Sequence, residues 1–331
     1  MANVSELRQD IVTGTWAVIA TGRAKRPDDF KTKKRAVIEN EKDCPFCHPG
    51  KDDKRKPTLV YKDLKGEWSL MAMPNKYPAF DSSTRLNRRE NGPFSVVDGV
   101  GFHEVIITRN HNLSIAQMKT NQVLEIINAY QERYLGLMNR RFINYISIFH
   151  NHGREAGASV SHPHSQLVAM PVIDPDVWRS LNGSADYWQK NKRCVHCVMI
   201  EWEKESAERV IFENEEFIAL CPFVSRAAFE VRVYPKFHAS YFERINQINK
   251  TKLAEALRAA LIKIDKGLSG PAYNFFLHTT PCDGKDYSHY HWHFEILPKT
   301  SIWAGFELGT GIEISTIEPE KAAEFLKQQK V

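Results

Sequence analysis

The chain has 331 residues, 42% hydrophobic and 26% charged, enough for two domains of ordinary size whose cores need no covalent staples. No apolar run approaches the roughly 20 residues of a membrane-spanning helix, and residues 1–6 lack the basic and apolar regions of a secretion signal, so a cytoplasmic location and no membrane partner are expected. Much of the formal charge of +5 sits in two short runs, 31–35 and 51–56, which read as solvated loops and not as a nucleic-acid surface, while a basic balance suits anionic small substrates.

In chain order, a Thr13-Gly14 turn signal precedes a short strand at 16–20, and a basic loop follows in which Arg23 and Arg26 stand before Pro27. Two guanidinium forks so placed can clamp a phosphate, although an exposed basic turn explains them equally well when taken alone. Cys44-Pro45-Phe46-Cys47 puts two thiols on one turn. A strand at 68–73 leads into loop 74–80, which offers the Asn75 amide and an aromatic ring to a ligand. Another strand, 103–108, ends near His111. Apolar residues Ile115, Met118, Val123, Ile126, Ile127 and Tyr130 recur at helical spacing, predicting an amphipathic helix over 114–140. Strand 145–149 then runs into His150-Asn151-His152-Gly153. The stretch 157–171 reads as a strand entered from a small-residue loop, with His162, His164 and Gln166 at every second position and so on one face.

The second half repeats that order. Cys194-Val195-His196-Cys197 matches the first thiol turn, strands at 217–222 and 229–238 follow, a helix is predicted over 252–266, and strand 273–278 leads to a second alternating histidine strand at 289–298. The expected fold class is therefore α+β, built as two copies of one unit, 1–180 and 181–331, each a mostly antiparallel sheet with helices.

A Cys-x-x-Cys turn supplies two of the four ligands of a tetrahedral zinc. Equivalent positions in the two halves nominate the others: Cys44, Cys47, His111 and His162 for one ion, and Cys194, Cys197, His238 and one of His289 or His291 for a second. We assign His291. Four protein ligands make both sites closed and structural. Redox use of the thiols is disfavoured because neither pair is predicted to open a helix in a βαβ unit, and a nucleic-acid zinc ribbon because basic and aromatic clusters are missing around them. Lone Cys221 and Cys282 read as packing residues. If metal pins His162, its neighbour His164 is held in place and left free to react.

Taken together, residues 23–27, Cys44-Pro45-Phe46-Cys47, Pro74-Asn75, Asn151 with its glycine loop, Ser159, His162-Pro163-His164-Ser165-Gln166 and the tail 305–311 give the chain a nearly full-length resemblance to the galactose-1-phosphate uridylyltransferase family, a branch of the histidine-triad superfamily. The resemblance implies two tandem histidine-triad-like domains, a homodimer, and ping-pong nucleotidyl transfer between a nucleotide sugar and a sugar 1-phosphate. It makes His164 the nucleophile, Gln166 and Ser159 its aids at the phosphate, and Arg23, Arg26, Asn75 and Asn151 contacts to phosphate, sugar or nucleotide. Glu307, with Phe306 beside it, would bind hexose hydroxyls. Aligning the two halves favours His289 as the last zinc ligand, whereas the family's His-Trp pairing favours His291.

Three departures bear on specificity. Ser165 stands where many uridylyltransferases have proline or glycine. A second Cys-x-x-Cys replaces part of the iron-site pattern of some members, as in relatives that act as ADP-glucose phosphorylases, and the tail after Glu307 reads Leu-Gly-Thr-Gly. The expected activity is UDP-glucose:hexose-1-phosphate uridylyl transfer. An ADP-sugar phosphorylase or adenylyltransferase is the alternative, with a dinucleoside polyphosphate hydrolase below it. A non-enzymatic zinc-containing nucleotide-binding protein is the reading from another class, and what opposes it is asymmetry: only the first half has the small-residue loop, Ser159 and the His-x-Gln continuation.

Overall fold

The computed structural model describes residues 4–20, 27–31, 40–49, 55–83 and 85–331. Arg23 and Arg26 lie outside them. In the first half the strands are β1 (Glu6–Gln9), β2 (Trp16–Ile19), β3 (Leu59–Lys62), β4 (Trp68–Pro74), β5 (Arg88–Asn91), β6 (Phe94–Val97), β7 (Phe102–Thr108), β8 (Tyr145–His152) and β9 (His164–Met170), with helix α1 at Thr120–Met138. Helices α2 (Pro175–Asn191) and α3 (Val195–Ser206) lead into β10 (Val210–Glu213), β11 (Phe217–Leu220), β12 (Val231–Pro235), α4 (Gln247–Leu268), β13 (Tyr273–His278) and β14 (His293–Pro298). The chain closes with α5 (Gly305–Thr310), β15 (Glu313–Ser315) and α6 (Pro319–Lys327).

The fold is α+β, and its main sheet is ten-stranded in the order β10-β11-β12-β14-β13-β8-β9-β7-β4-β3, with every pairing antiparallel. Each half contributes five strands in the same relative order, and the halves meet where β8 pairs with β13, Phe149 opposite Phe276 and Asn151 opposite Asn274. Side chains alternate across a strand, so Ile106, Ile146, Ile148 and Leu167 face α1 and α4 in the main core. Val105 and Ile107 face the other way, toward Phe46 and the methionines of β4. The Cys44–Cys47 turn and the cavity lined by His164 and Gln166 are on that second face.

Boundaries differ from the sequence-based expectation in places with identifiable causes. The periodic stretch over 114–140 is broken: the Ser114 and Lys119 backbone N–H groups donate to Gln117 and Gln122 side chains, giving a short 3₁₀ turn at Ile115–Gln117 before α1. The predicted helix over 252–266 extends to Gln247–Leu268, started by the Asn246 side chain accepting from Asn249 N–H and ended by left-handed Ser269. Asp174 caps α2 ahead of Pro175, a readable start signal that the repeat pattern obscured. The histidine strand begins only at His164. Pro163 has no N–H to give a ladder, and the loop before it turns through Gly153 and Gly157 at φ +83° and +85°.

Candidate active site and metal centres

Two side-chain clusters form on the second face, Cys44, Cys47, His111 and His162 in the first half and Cys194, Cys197, His238 and His291 in the second, the donor atoms of each lying within 4.8 Å of one another. In a tetrahedron with zinc-to-sulfur about 2.3 Å and zinc-to-nitrogen about 2.05 Å, the sulfur–nitrogen edge is about 3.6 Å. The His162 Nδ1 atom lies 3.6 Å from Cys44 Sγ and 3.4 Å from Cys47 Sγ, and His111 Nδ1 is 3.1 Å from Cys47 Sγ. In the second cluster the corresponding separations are 3.9, 3.6 and 3.5 Å. The ring orientations are fixed from behind: His162, His291 and His238 donate through Nε2 to the carbonyls of Thr108, Pro235 and Ser288 at 2.6, 3.0 and 2.7 Å, leaving each Nδ1 turned to the thiols. Both donor sets therefore fit a tetrahedral metal ion.

The thiols within each cluster influence one another. Burial and the adjacent Cys44 push Cys47 up to about 12, and the hydrogen bond from Cys197 holds Cys194 far below an ordinary thiol while Cys197 is raised. A metal ion bound at either cluster would displace thiol protons. Contrary to expectation, the second pair does open a helix: Cys194 is the N-cap of α3. Its two histidine neighbours, not helix placement, distinguish it from a redox dithiol.

His162 sits before β9 and turns into the first cluster, whereas His164 and Gln166 point into a cavity of about 250 Å³ lined also by Phe46, Arg55, Asn75, Lys76, Tyr77 and Ser159. All three side chains lie on the same side of the sheet, but His162 precedes the strand, which begins at His164. Nδ1 of His164 donates to the His162 carbonyl at 2.8 Å, which leaves Nε2 as the nitrogen with a free lone pair. Burial lowers the imidazole's proton affinity, opposed in part by that bond, so the ring is neutral near pH 7. The Phe46 ring, carried on the thiol turn, packs 4.9 Å from the His164 ring. The metal cluster and the nucleophile candidate are mechanically joined twice, through the 162 carbonyl and through Phe46.

Residues 1–174 match the family model described as "Galactose-1-phosphate uridyl transferase, N-terminal domain", and residues 99–329 match a domain of unknown function. Over 98% of its length the chain is 34% identical to an ADP-glucose phosphorylase of Arabidopsis thaliana, covering 92% of that protein. The chain belongs to the galactose-1-phosphate uridylyltransferase family. A Thermotoga maritima galactose-1-phosphate uridylyltransferase is 30% identical over 98% of this chain and 99% of that one. Among solved structures, the Arabidopsis thaliana ADP-glucose phosphorylase with bound ADP-glucose superposes with TM-score 0.83 at 32% identity, covering 99% of this chain and all of the other. A structure described as a uridylyltransferase gives 0.76 at 26% identity, over 98% and 97%. This uridylyltransferase-family chain is accordingly a nucleotidyltransferase.

The family pattern's remaining residues are distributed unevenly. Asn75 and Ser159 line the His164 cavity. Asn151 instead lines an adjoining cavity of about 370 Å³ over the β8–β13 seam, its Oδ1 accepting from Asn274 Nδ2 at 2.8 Å. Phe306 and Glu307 lie on α5 and line neither cavity; the Glu307 carboxylate accepts from Ala304 N–H at 3.0 Å. Sequence reasoning missed Arg55, Lys76 and Phe46. Arg55 stands in a charge run that reads as a solvated loop, yet it lines the cavity and donates to the Pro74 carbonyl. In the second half His293 opens β14 as His164 opens β9, so His291, two residues earlier, is the counterpart of His162 and His289 is not. A third donor group, His278, His293 and Glu295, has its carboxylate already engaged by Arg232 at 3.3 Å and Arg226 at 3.5 Å.

Proposed function

We propose that His164 carries a covalent nucleotidyl group. Its Nε2 attacks the α-phosphorus of a nucleotide sugar, the N–P bond forms as the bond to the sugar 1-phosphate breaks, and the sugar 1-phosphate leaves. An oxygen of an incoming phosphate or sugar 1-phosphate then reverses the step, releasing the neutral imidazole. Nδ1–H stays on the His162 carbonyl throughout, stabilising the cationic ring of the intermediate. The observation that carries this reading is the buried, neutral His164 with Nε2 turned into a cavity that Arg55 and Lys76 also line. Ser159 and Gln166 would donate to the non-bridging oxygens, and Asn75, Asn151, Arg23 and Arg26 would bind phosphate, sugar or nucleotide.

Zinc suits both thiol–imidazole clusters, giving two structural ions. Bound at the first, it would supply no chemistry beyond fixing His162 and the turn that bears Phe46. Phe306 and Glu307 would bind hexose hydroxyls, and a homodimer would let them do so at the cavity of a second copy. For the base, the second thiol pair and the likeness to the ADP-glucose phosphorylase favour adenylyl over uridylyl transfer with phosphate as acceptor; UDP-glucose:hexose-1-phosphate uridylyl transfer is the other reading, supported by the uridylyltransferase relatives. Incubation with ADP-glucose or UDP-glucose labelled at the α-phosphate should yield acid-labile protein-bound label from one of them, lost in His164→Ala. Label surviving in that variant removes His164 from the role, and phosphate against hexose 1-phosphate as acceptor separates the two activities.

A further inference from the structure

We propose that His103 is a positioning residue that fixes the side-chain amide of Gln166 with its NH₂ group toward the reacting phosphate; the proposal rests on nucleotidyl transfer through His164. The β7–β9 register sets Val105 opposite Gln166, and His103, two residues before Val105, lies on the same face. The Ala79 backbone N–H donates to His103 Nδ1 at 3.2 Å. A ring nitrogen that accepts from an amide carries no proton, so the neutral imidazole keeps its proton on Nε2. That Nε2 lies 2.8 Å from Gln166 Oε1 and donates to it.

With its oxygen held by His103, Gln166 turns its NH₂ away from β7. The reversed amide would set NH₂ against the Nε2–H and aim its oxygen at an anion, two repulsive contacts at once. Asn75 also borders His103: its Oδ1 accepts from Tyr77 N–H at 3.0 Å, which leaves Nδ2 3.1 Å from His103 Nε2, a contact that offers the Nε2 proton no acceptor and leaves Gln166 Oε1 to take it. Asn75 is itself tied to β7 by its N–H, which donates to the His103 carbonyl at 2.7 Å. One backbone N–H, acting through one imidazole, thus sets the polarity of the Gln166 amide.

The test compares His103→Phe, His103→Gln, Gln166→Ala and the double variant His103→Phe/Gln166→Ala in single-turnover labelling of His164 at saturating nucleotide sugar, with metal content and melting temperature measured alongside. Loss of one oriented donor predicts a fall of about tenfold to a hundredfold for His103→Phe. Most of the rate should return in His103→Gln, whose amide can donate to Gln166, and His103→Phe should cost less than about twofold once Gln166 is already Ala. Equal losses in both backgrounds, or a His103→Phe enzyme as fast as wild type, overturn the role. Nitrogen NMR of the wild type, with the His103 signal found by its absence in His103→Gln, needs no active variant: a proton on Nδ1 overturns the proposal. Wild-type protein that takes no label on His164 brings down the parent reading, whereas normal wild-type labelling with equal losses in both backgrounds removes only His103.

Discussion

The separation of duties between adjacent histidines can be measured by removing each in turn. His162 Nδ1 faces both thiols of the first cluster; His164 contributes no donor to it and touches it only through a backbone carbonyl and the Phe46 ring. Structural zinc on four ligands is bound with an apparent free energy of about 10–16 kcal/mol. Losing one of four donors of similar strength therefore removes about 2.5–4 kcal/mol, roughly a hundredfold to a thousandfold in affinity. In His162→Ala, one of two ions should pass to a chromophoric chelator that leaves the wild type loaded, and labelling of His164 should fall with it because the turn bearing Phe46 loosens. His164→Ala should abolish labelling and hold its metal as wild type does. Loss of an ion from His164→Ala, or full retention in His162→Ala against the same chelator, would refute this division.

Three further outcomes are expected. His291→Ala should release the second ion, leave the first, and spare labelling of the folded protein, as metal analysis beside single-turnover assays will show. Gly153 sits at φ +83°, and a Cβ there would lie 2.7 Å from that of Ala272, so Gly153→Ala should destabilise by about 2–4 kcal/mol in denaturant unfolding and slow labelling by displacing the loop that carries Ser159; an unchanged midpoint contradicts this. His150 is buried against Phe275 and Tyr273, and burial first, then the nearby His152 and His164, holds its pKa well below the usual 6.5. As pH falls below about 6.5 the unfolded chain takes up the proton first, so the stability contributed by neutral His150 is present above that pH and lost below it, with a slope of up to about 1.4 kcal/mol per pH unit. His150→Phe, which keeps the stacking, should flatten the fall between pH 6.5 and 5 by up to that amount, and an identical slope would show that the ring is not held neutral.

The metal clusters were legible because thiol spacing and the order of histidines recur in both halves, and because zinc demands four donors. Histidine register was less so: His289, His291 and His293 alternate alike in the sequence, and only the first residue of β14 decides which of them matches His162. The cavity wall was mostly hidden. Arg55 looks like any cation in a charged run, and His103 looks like any polar residue at the edge of an apolar strand, since nothing in their local spacing tells that β4, β7 and β9 lie side by side. The resemblance to the family supplied Asn75, Asn151 and Ser159 residue by residue, but not the separate cavity for Asn151, which follows from the seam between the halves.

The same scaffold position also gives a reason for assigning the proposed chemistry to one half. In β9 the residue two after His164 is Gln166, a neutral amide beside Val105 and His103, and Arg55 and Lys76 line the same cavity. In β14 the corresponding residue is Glu295, opposite Arg232, whose guanidinium is also bound to Glu230 at 2.8 Å. His293 is neutral, its proton affinity held well below normal by burial and then by His278 and His196, and its Nδ1 donates to the His291 carbonyl at 3.2 Å much as His164 does to His162. As a nucleophile it is no worse prepared than His164. The difference lies around it: Glu295 repels an approaching phosphate, and Arg232 and Arg226 are consumed in pairing with Glu295, Glu230 and Glu313. On the proposed reading, nucleotidyl transfer draws on cations that line the cavity and on an oriented neutral amide beside the imidazole as much as on the imidazole itself.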